Sequence, residues 1–203
     1  RYLALPSQNP MDATVSAGGR LDIGNEKLTV AAAHVAAHED RSQLDTIASD
    51  RPIAFDLDDV RASYAMNDGR WSIVPSVQVT NWTYNPTTLL GIPTSQAYRN
   101  RLVTQGGVSV SYEFAPLRSI MLVVRAVTQE YTRTPAGQPS PDSTSYQVLA
   151  GVDYDDDSVW HFRALVGGEA RHFSNPLFPK QNTLIAEASA AWSPKGLDRK
   201  SVV

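Results

Sequence analysis

About nine stretches of this chain alternate apolar and polar residues, each over roughly 11 to 15 positions, and no other feature limits the possible folds so strongly. The clearest pair runs from Ser145 to His172. Tyr146, Val148, Ala150, Val152 and Tyr154 alternate with Ser145, Gln147, Leu149, Gly151 and Asp153. The acidic turn Asp155-Asp156-Asp157 follows. Trp160, Phe162, Ala164, Val166 and Ala170 then alternate with His161, Arg163, Leu165, Gly167, Glu169 and Arg171. Successive side chains of a strand point to opposite faces, so a sustained period of two predicts β-strands lying between two different environments.

Short turns recur near residues 25, 68, 116, 156 and 195, a spacing of about 40 that makes each unit one hairpin plus one long polar loop. Asn67-Asp68-Gly69 is the strongest of these turns, because Gly supplies the positive φ that a two-residue hairpin needs and Asn and Asp tolerate it. A propeller blade of similar period needs four short strands, whereas these units hold two long ones. Globular strands average 5 or 6 residues, while strands tilted across an outer membrane need about 9 to 11. Short turns at one end and long loops at the other is the asymmetry of a membrane barrel. Aromatics near the short turns (Trp71, Tyr112, Phe114, Tyr154, Trp160, Trp192) and near the long loops (Trp82, Tyr84, Tyr131, Tyr146, Phe173) are read as two interfacial girdles. The expected fold is all-β: an antiparallel up-and-down transmembrane β-barrel, incomplete at about nine strands.

Taken in order, strands are expected over 13–23, 28–38, 53–66, 71–84, 98–114, 119–131, the Ser145–His172 pair and 182–192. Residues 28–38 (LTVAAAHVAAH) also suit a helix by their alanine content; strand fits the repeat. Pro75 cannot donate to a ladder, so a bulge or local break is expected there.

Composition narrows the function. Charged residues are 19% of the chain and net charge is −3, so there is no basic footprint for nucleic acid. There are no cysteines, which excludes a disulfide framework and thiolate metal sites. The longest clean apolar run is Ile120 to Val124, far short of the roughly 18–20 residues of a spanning helix. The chain opens on Arg1-Tyr2 without a signal-peptide pattern and is read as a fragment or a processed chain.

The repeat, the Gly151-Val152-Asp153-Tyr154-Asp155-Asp156-Asp157 turn and the segment from Arg171-His172-Phe173 to Trp192-Ser193-Pro194 resemble the β-barrel porin 2 family. The resemblance covers residues 1–196, read as a partial barrel. It implies a Gram-negative outer-membrane location and barrel architecture. The tail 197–203 (LDRKSVV) departs from the pattern and lacks the terminal aromatic common in such barrels, so a truncation or a foreign end is expected there.

Candidate chemistry is sparse. His34 and His38 form HxxxH, but on a strand they lie about 13 Å apart at roughly 3.4 Å per residue, too far to chelate one ion. The zincin pattern also needs Glu after the first His, and Val35 stands there. Asp155 to Asp157 lack EF-hand spacing and are read as a solvated turn. With no nucleophile-elbow motif and no phosphate-cradling glycine motif, neither an enzyme nor a cofactor or metal site is expected; Gly106-Gly107 and Gly167-Gly168 are read as strand positions that bend or pack closely. Arg61, Arg101, Glu113, Arg125, His161, Arg163, Glu169, Arg171 and Glu187 are expected to line a lumen, with Trp71, Tyr112, Phe114, Tyr154, Trp160, Phe162 and Trp192 facing lipid or forming a girdle. The function expected is a porin-like channel for passive diffusion of small polar solutes, with outer-membrane lipid as its other partner. Two alternatives stand beside it: an accessory outer-membrane barrel of polysaccharide export or assembly, and a soluble β-sandwich binding module.

Overall fold

The structure is a computed structural model that describes residues 11–39, 49–155 and 160–192. Residues 156–159 of the acidic turn and the tail from 193 onward lie outside the described residues. Nine long strands form one continuous antiparallel sheet: β1 (Ala13–Ile23), β2 (Glu26–His38), β3 (Ala54–Asp68), β4 (Trp71–Tyr84), β7 (Arg101–Ala115), β8 (Arg118–Tyr131), β9 (Ser143–Asp155), β10 (Trp160–Phe173) and β11 (Gln181–Trp192). Each is hydrogen-bonded to its neighbours in that order. One sheet rather than two packed layers disposes of the β-sandwich. Among the described residues β1 and β11 do not pair, so the barrel is not closed.

Residues 28–38 are strand, despite their alanines. β2 is paired on both sides, to β1 and to β3, and these ladders override the weak helical preference. At Pro75 the β3–β4 ladder opens: Ser63 pairs Ser76 and Met66 pairs Ile73, with the positions between unpaired and the register unchanged. The missing N–H therefore produces a local break and no bulge. A bulge does occur elsewhere, between Glu113 and Ala115, at the turn where Leu117 adopts a φ of 64°. The Glu113 carboxylate accepts the Leu117 N–H at 3.1 Å and fixes that turn.

The segment 85–97, expected to be plain loop, holds a small hairpin, β5 (Thr87–Leu89) with β6 (Ile92–Thr94), followed by a 3₁₀ turn at Ala97–Arg99. The loop is tied down. The Asp50 carboxylate accepts the N–H groups of Leu90 and Gly91 at 3.1 and 2.8 Å, and Asn100 Oδ1 accepts the Tyr84 N–H at 2.8 Å.

Candidate functional site

Register assigns every strand residue to one of two faces. One face carries Val60, Ile73, Val77, Val108, Leu122, Val124, Val148, Val152, Val166 and Leu184. Each of these large side chains is exposed, several by about half, and together they form a continuous apolar surface. A soluble monomer rarely exposes more than a few hundred Å² of contiguous apolar patch. Trp71, Tyr112, Tyr154, Trp160, Phe162 and Trp192 lie on this face near the short turns, and Phe114 is exposed in the bulge. They contact one another: Trp71 against Tyr112 at 4.8 Å between ring centroids, Trp160 against Phe162 at 5.7 Å and against Trp192 at 6.3 Å.

The second band of aromatics is arranged differently. Tyr146 is on the apolar face, 56% exposed. Trp82, Tyr84, Tyr131 and Phe173 are on the opposite face, which corrects the expectation of a second outward girdle. The physical reason is parity: Trp82 and Tyr84 follow Gln78 and Thr80 at steps of two, and a strand side chain cannot change face without a bulge. Phe55 joins Trp82 and Tyr84 at 5.4 and 5.7 Å, with the Arg101 guanidinium over Trp82 at 4.9 Å and Arg99 over Tyr84 at 4.1 Å.

The opposite face is concave. Arg125 of β8 reaches Glu187 of β11, with Nη1 to Oε1 at 2.6 Å and Nη2 to Oε2 at 3.0 Å. Two strands intervene, so the span on a flat sheet would be about 14 Å across the strands alone, at roughly 4.7–4.9 Å per step. Perpendicular side chains meet over that distance only if the sheet curls towards them. Glycines on the inner face permit the curl. A Cβ on Gly151 would collide with the carbonyl oxygen of Ala164, and one on Gly167 with that of Val148. Opposite these glycines stand Leu165 and Leu149, buried at 5% and 0% exposure, which pack with Val123, Met121 and Ile185. The concave face therefore has an apolar centre within its polar surface, a feature the alternation had assigned to neither environment.

A cavity of about 520 Å³ lies on this face, lined by residues from β4 to β11 that include Ser76, Gln105, Ser109, Arg125, Arg163 and Glu187. Arg61, Arg101, Glu113, Arg125, His161, Arg163, Glu169, Arg171 and Glu187 all occupy positions of this face by register. Most are tied into pairs. Arg163 donates from Nε to Asp153 at 2.8 Å, His161 Nδ1 lies 2.8 Å from Asp155, and Glu169 accepts from Gln147 at 2.9 Å and Arg171 at 3.0 Å. Gln78 and Thr80 both donate to Asp59. Among the described residues Arg61 and Arg101 have no carboxylate within ion-pair distance. His34 and His38 sit on the other face and hydrogen-bond separately to Asp58 and Asp12 at 2.7 and 3.0 Å. Asp153, Asp155 and His161 have the donor types of a cation site, with donor atoms within 4.8 Å of one another. Arg163 already neutralises Asp153, and the three are accounted for as a hydrogen-bonded cluster.

A two-faced curved sheet with exposed aliphatics outside and paired charges inside is the form of a membrane barrel wall. The family model described as "Putative beta-barrel porin 2" matches residues 1–199. The chain belongs to this family. As a family member it is an outer-membrane β-barrel protein of a Gram-negative bacterium. Among solved structures, OmpT (in-vitro folded), an outer membrane protein of Vibrio cholerae, superposes with a TM-score of 0.54 at 14% identity. That match covers 88% of this chain and 53% of the other, so the chain spans about half the length of that barrel. At this identity the likeness concerns the fold. No curated protein gives a significant match.

Proposed function

We propose that the chain forms part of the wall of a porin-like pore through which small polar solutes diffuse passively. The observation that carries this reading is the separation of the faces: the convex side is mostly exposed aliphatic and aromatic surface suited to lipid, interrupted by the His34–Asp58 and His38–Asp12 contacts, and the concave side gathers hydroxyls, amides and paired charges around a cavity of about 520 Å³. Hydroxyls such as Ser76, Ser109 and Ser111 exchange hydrogen bonds with passing water at little cost, and bind no solute tightly enough to retain it. The long loops, anchored through Asp50 and Asn100, narrow the mouth. In this reading the protein is not an enzyme, and transport draws only on the solute gradient.

Because inner-face charges of both signs are largely paired, the wall itself discriminates weakly between small cations and anions. The test is conductance of the full-length protein in a planar bilayer. Stepwise, ohmic openings are expected, with permeability falling as solute size rises. A folded, inserted barrel that never conducts would overturn the proposal. It would leave the accessory export or assembly barrel as the alternative.

A further inference from the structure

At the long-loop end of the concave face is a second cavity of about 570 Å³, beneath the proline-rich loop that joins β8 to β9. Arg99, Arg101 and Arg133 line it together with Tyr131, Pro139 and Phe178. No carboxylate is among its lining residues. Arg101 and Tyr131 stand directly opposite each other across β7 and β8, so one wall combines a cation with a ring.

The three arginines are not equivalent. Arg99 is committed: it forms a two-pronged pair with Glu39, one prong Nη1 to Oε2 at 3.0 Å, and lies over the Tyr84 ring. Burial works against its charge, but the hydrogen bonds and charge of Glu39 outweigh this and hold its pKa above the ordinary value. Arg101 stacks on Trp82 and makes one long contact, 3.5 Å, to the Arg99 carbonyl. Arg133 is exposed, and among the described residues neither it nor Arg101 has a carboxylate partner. Nearby carboxylates are engaged: Glu39 by Arg99, and Asp142 by the Tyr131 N–H at 2.7 Å.

We infer that this cavity is a binding site for a small organic anion carrying a flat ring, an aromatic carboxylate. Two unpaired guanidinium forks offer the planar, two-pronged donor geometry that carboxylates accept. Tyr131, Phe178 and the proline rings supply apolar walls for the ring plane, in a pocket of the size that small-molecule sites have. The site deepens the pore reading, on which its consequence rests: the mouth would concentrate such anions at the entrance while the wall below stays unselective.

Binding and conduction are separable. The full-length protein in detergent micelles is titrated calorimetrically with sodium benzoate, sodium acetate and benzamide. Benzoate is expected to bind saturably with a Kd on the order of 1 mM, and acetate and benzamide at least about tenfold more weakly. Arg133→Gln and Arg101→Gln should each weaken benzoate about tenfold, and Arg133→Lys should recover part of the loss by restoring charge without the fork. Arg20→Gln, on β1 and paired with Asp22, should change nothing. Arg133 is an exposed loop residue, so its variants are expected to fold. Absence of saturable benzoate binding, equal binding of all three ligands, or wild-type affinity in both glutamine variants would each overturn the site. A protein that binds benzoate yet never conducts would sink the pore reading alone, and a conducting protein without binding would sink this site alone.

Discussion

Arg125 and Glu187, 62 residues apart in sequence, form a two-pronged ion pair across the concave face from β8 to β11. By register Glu187 is level with Leu165, Gly151 and Met121, so the pair also runs diagonally along the strands. It reads out the curl of the sheet directly: the two groups meet only if β9 and β10 bend beneath them. A double-mutant cycle with Arg125→Ala and Glu187→Ala should return a coupling of about 1 kcal/mol, the range expected for a partly exposed but geometrically good pair. Urea unfolding of the micelle-folded protein measures it. Strict additivity would mean that the pair contributes nothing to stability.

The same curl depends on two missing side chains. Gly151→Ala and Gly167→Ala each place a Cβ against a neighbouring strand's carbonyl oxygen, and backbone cannot move aside as a flexible side chain can. Each substitution is expected to destabilise by about 2 kcal/mol or more. Gly106→Ala is the control. It sits on the convex face with nothing within 4 Å of the new methyl, and its effect should stay within about 0.5 kcal/mol. The heat-dependent shift between folded and unfolded bands on a gel gives the comparison.

A charge on the convex face should cost what lipid exacts. Val124 is near the middle of β8 and opposite Val148, so Val124→Arg is expected to lose about 2–4 kcal/mol of stability in the membrane. Gln105→Arg, on the concave face, should leave stability nearly unchanged and shift the reversal potential towards anions in a salt gradient.

Tryptophan fluorescence tests the faces separately. The chain has four tryptophans. In single-tryptophan variants, Trp71, Trp160 and Trp192 should be quenched by lipids brominated along the acyl chain. Trp82, covered by Arg101 on the concave face, should not. Quenching of Trp82 equal to that of Trp160 would contradict the assigned face.

Much of this arrangement was legible in the sequence, because period and parity are local. The turn expected at Asn67-Asp68-Gly69 falls at Gly69-Arg70: Gly69 supplies the positive φ, while Asn67 and Asp68 remain paired strand residues opposite Ser72 and Trp71. The alternation around Val148 and Val166 placed those residues on a common face. Trp82 shows a signal that was present and passed over. Its distance from a long loop suggested a girdle, yet counting by twos from Gln78 assigns it to the inner face. Leu90 and Gly91, both at positive φ, mark the β5–β6 hairpin; Gly91 announces such a turn, while Leu90 conceals it. The buried Leu149 and Leu165 were not legible, since they alternate with Val148 and Val166 and hydrophobicity alone does not separate the faces. Arg125 and Glu187 meet only through curvature, which no short window of sequence contains.

The lopsided placement of the tryptophans has a mechanical consequence. All three that point outward are near the short turns, and the long-loop end has Tyr146 but no tryptophan on that face. Indole rings hold position at the headgroup level, so the short-turn end behaves as a keel fixed in its own leaflet. When bilayer thickness changes, mismatch is absorbed by stretching or thinning lipid where the anchoring is weaker. The opposite rim, with Trp82, Tyr84, Tyr131 and Phe173 turned inward and Tyr146 outward, is then freer to ride up or down, carrying the loop mouth with it.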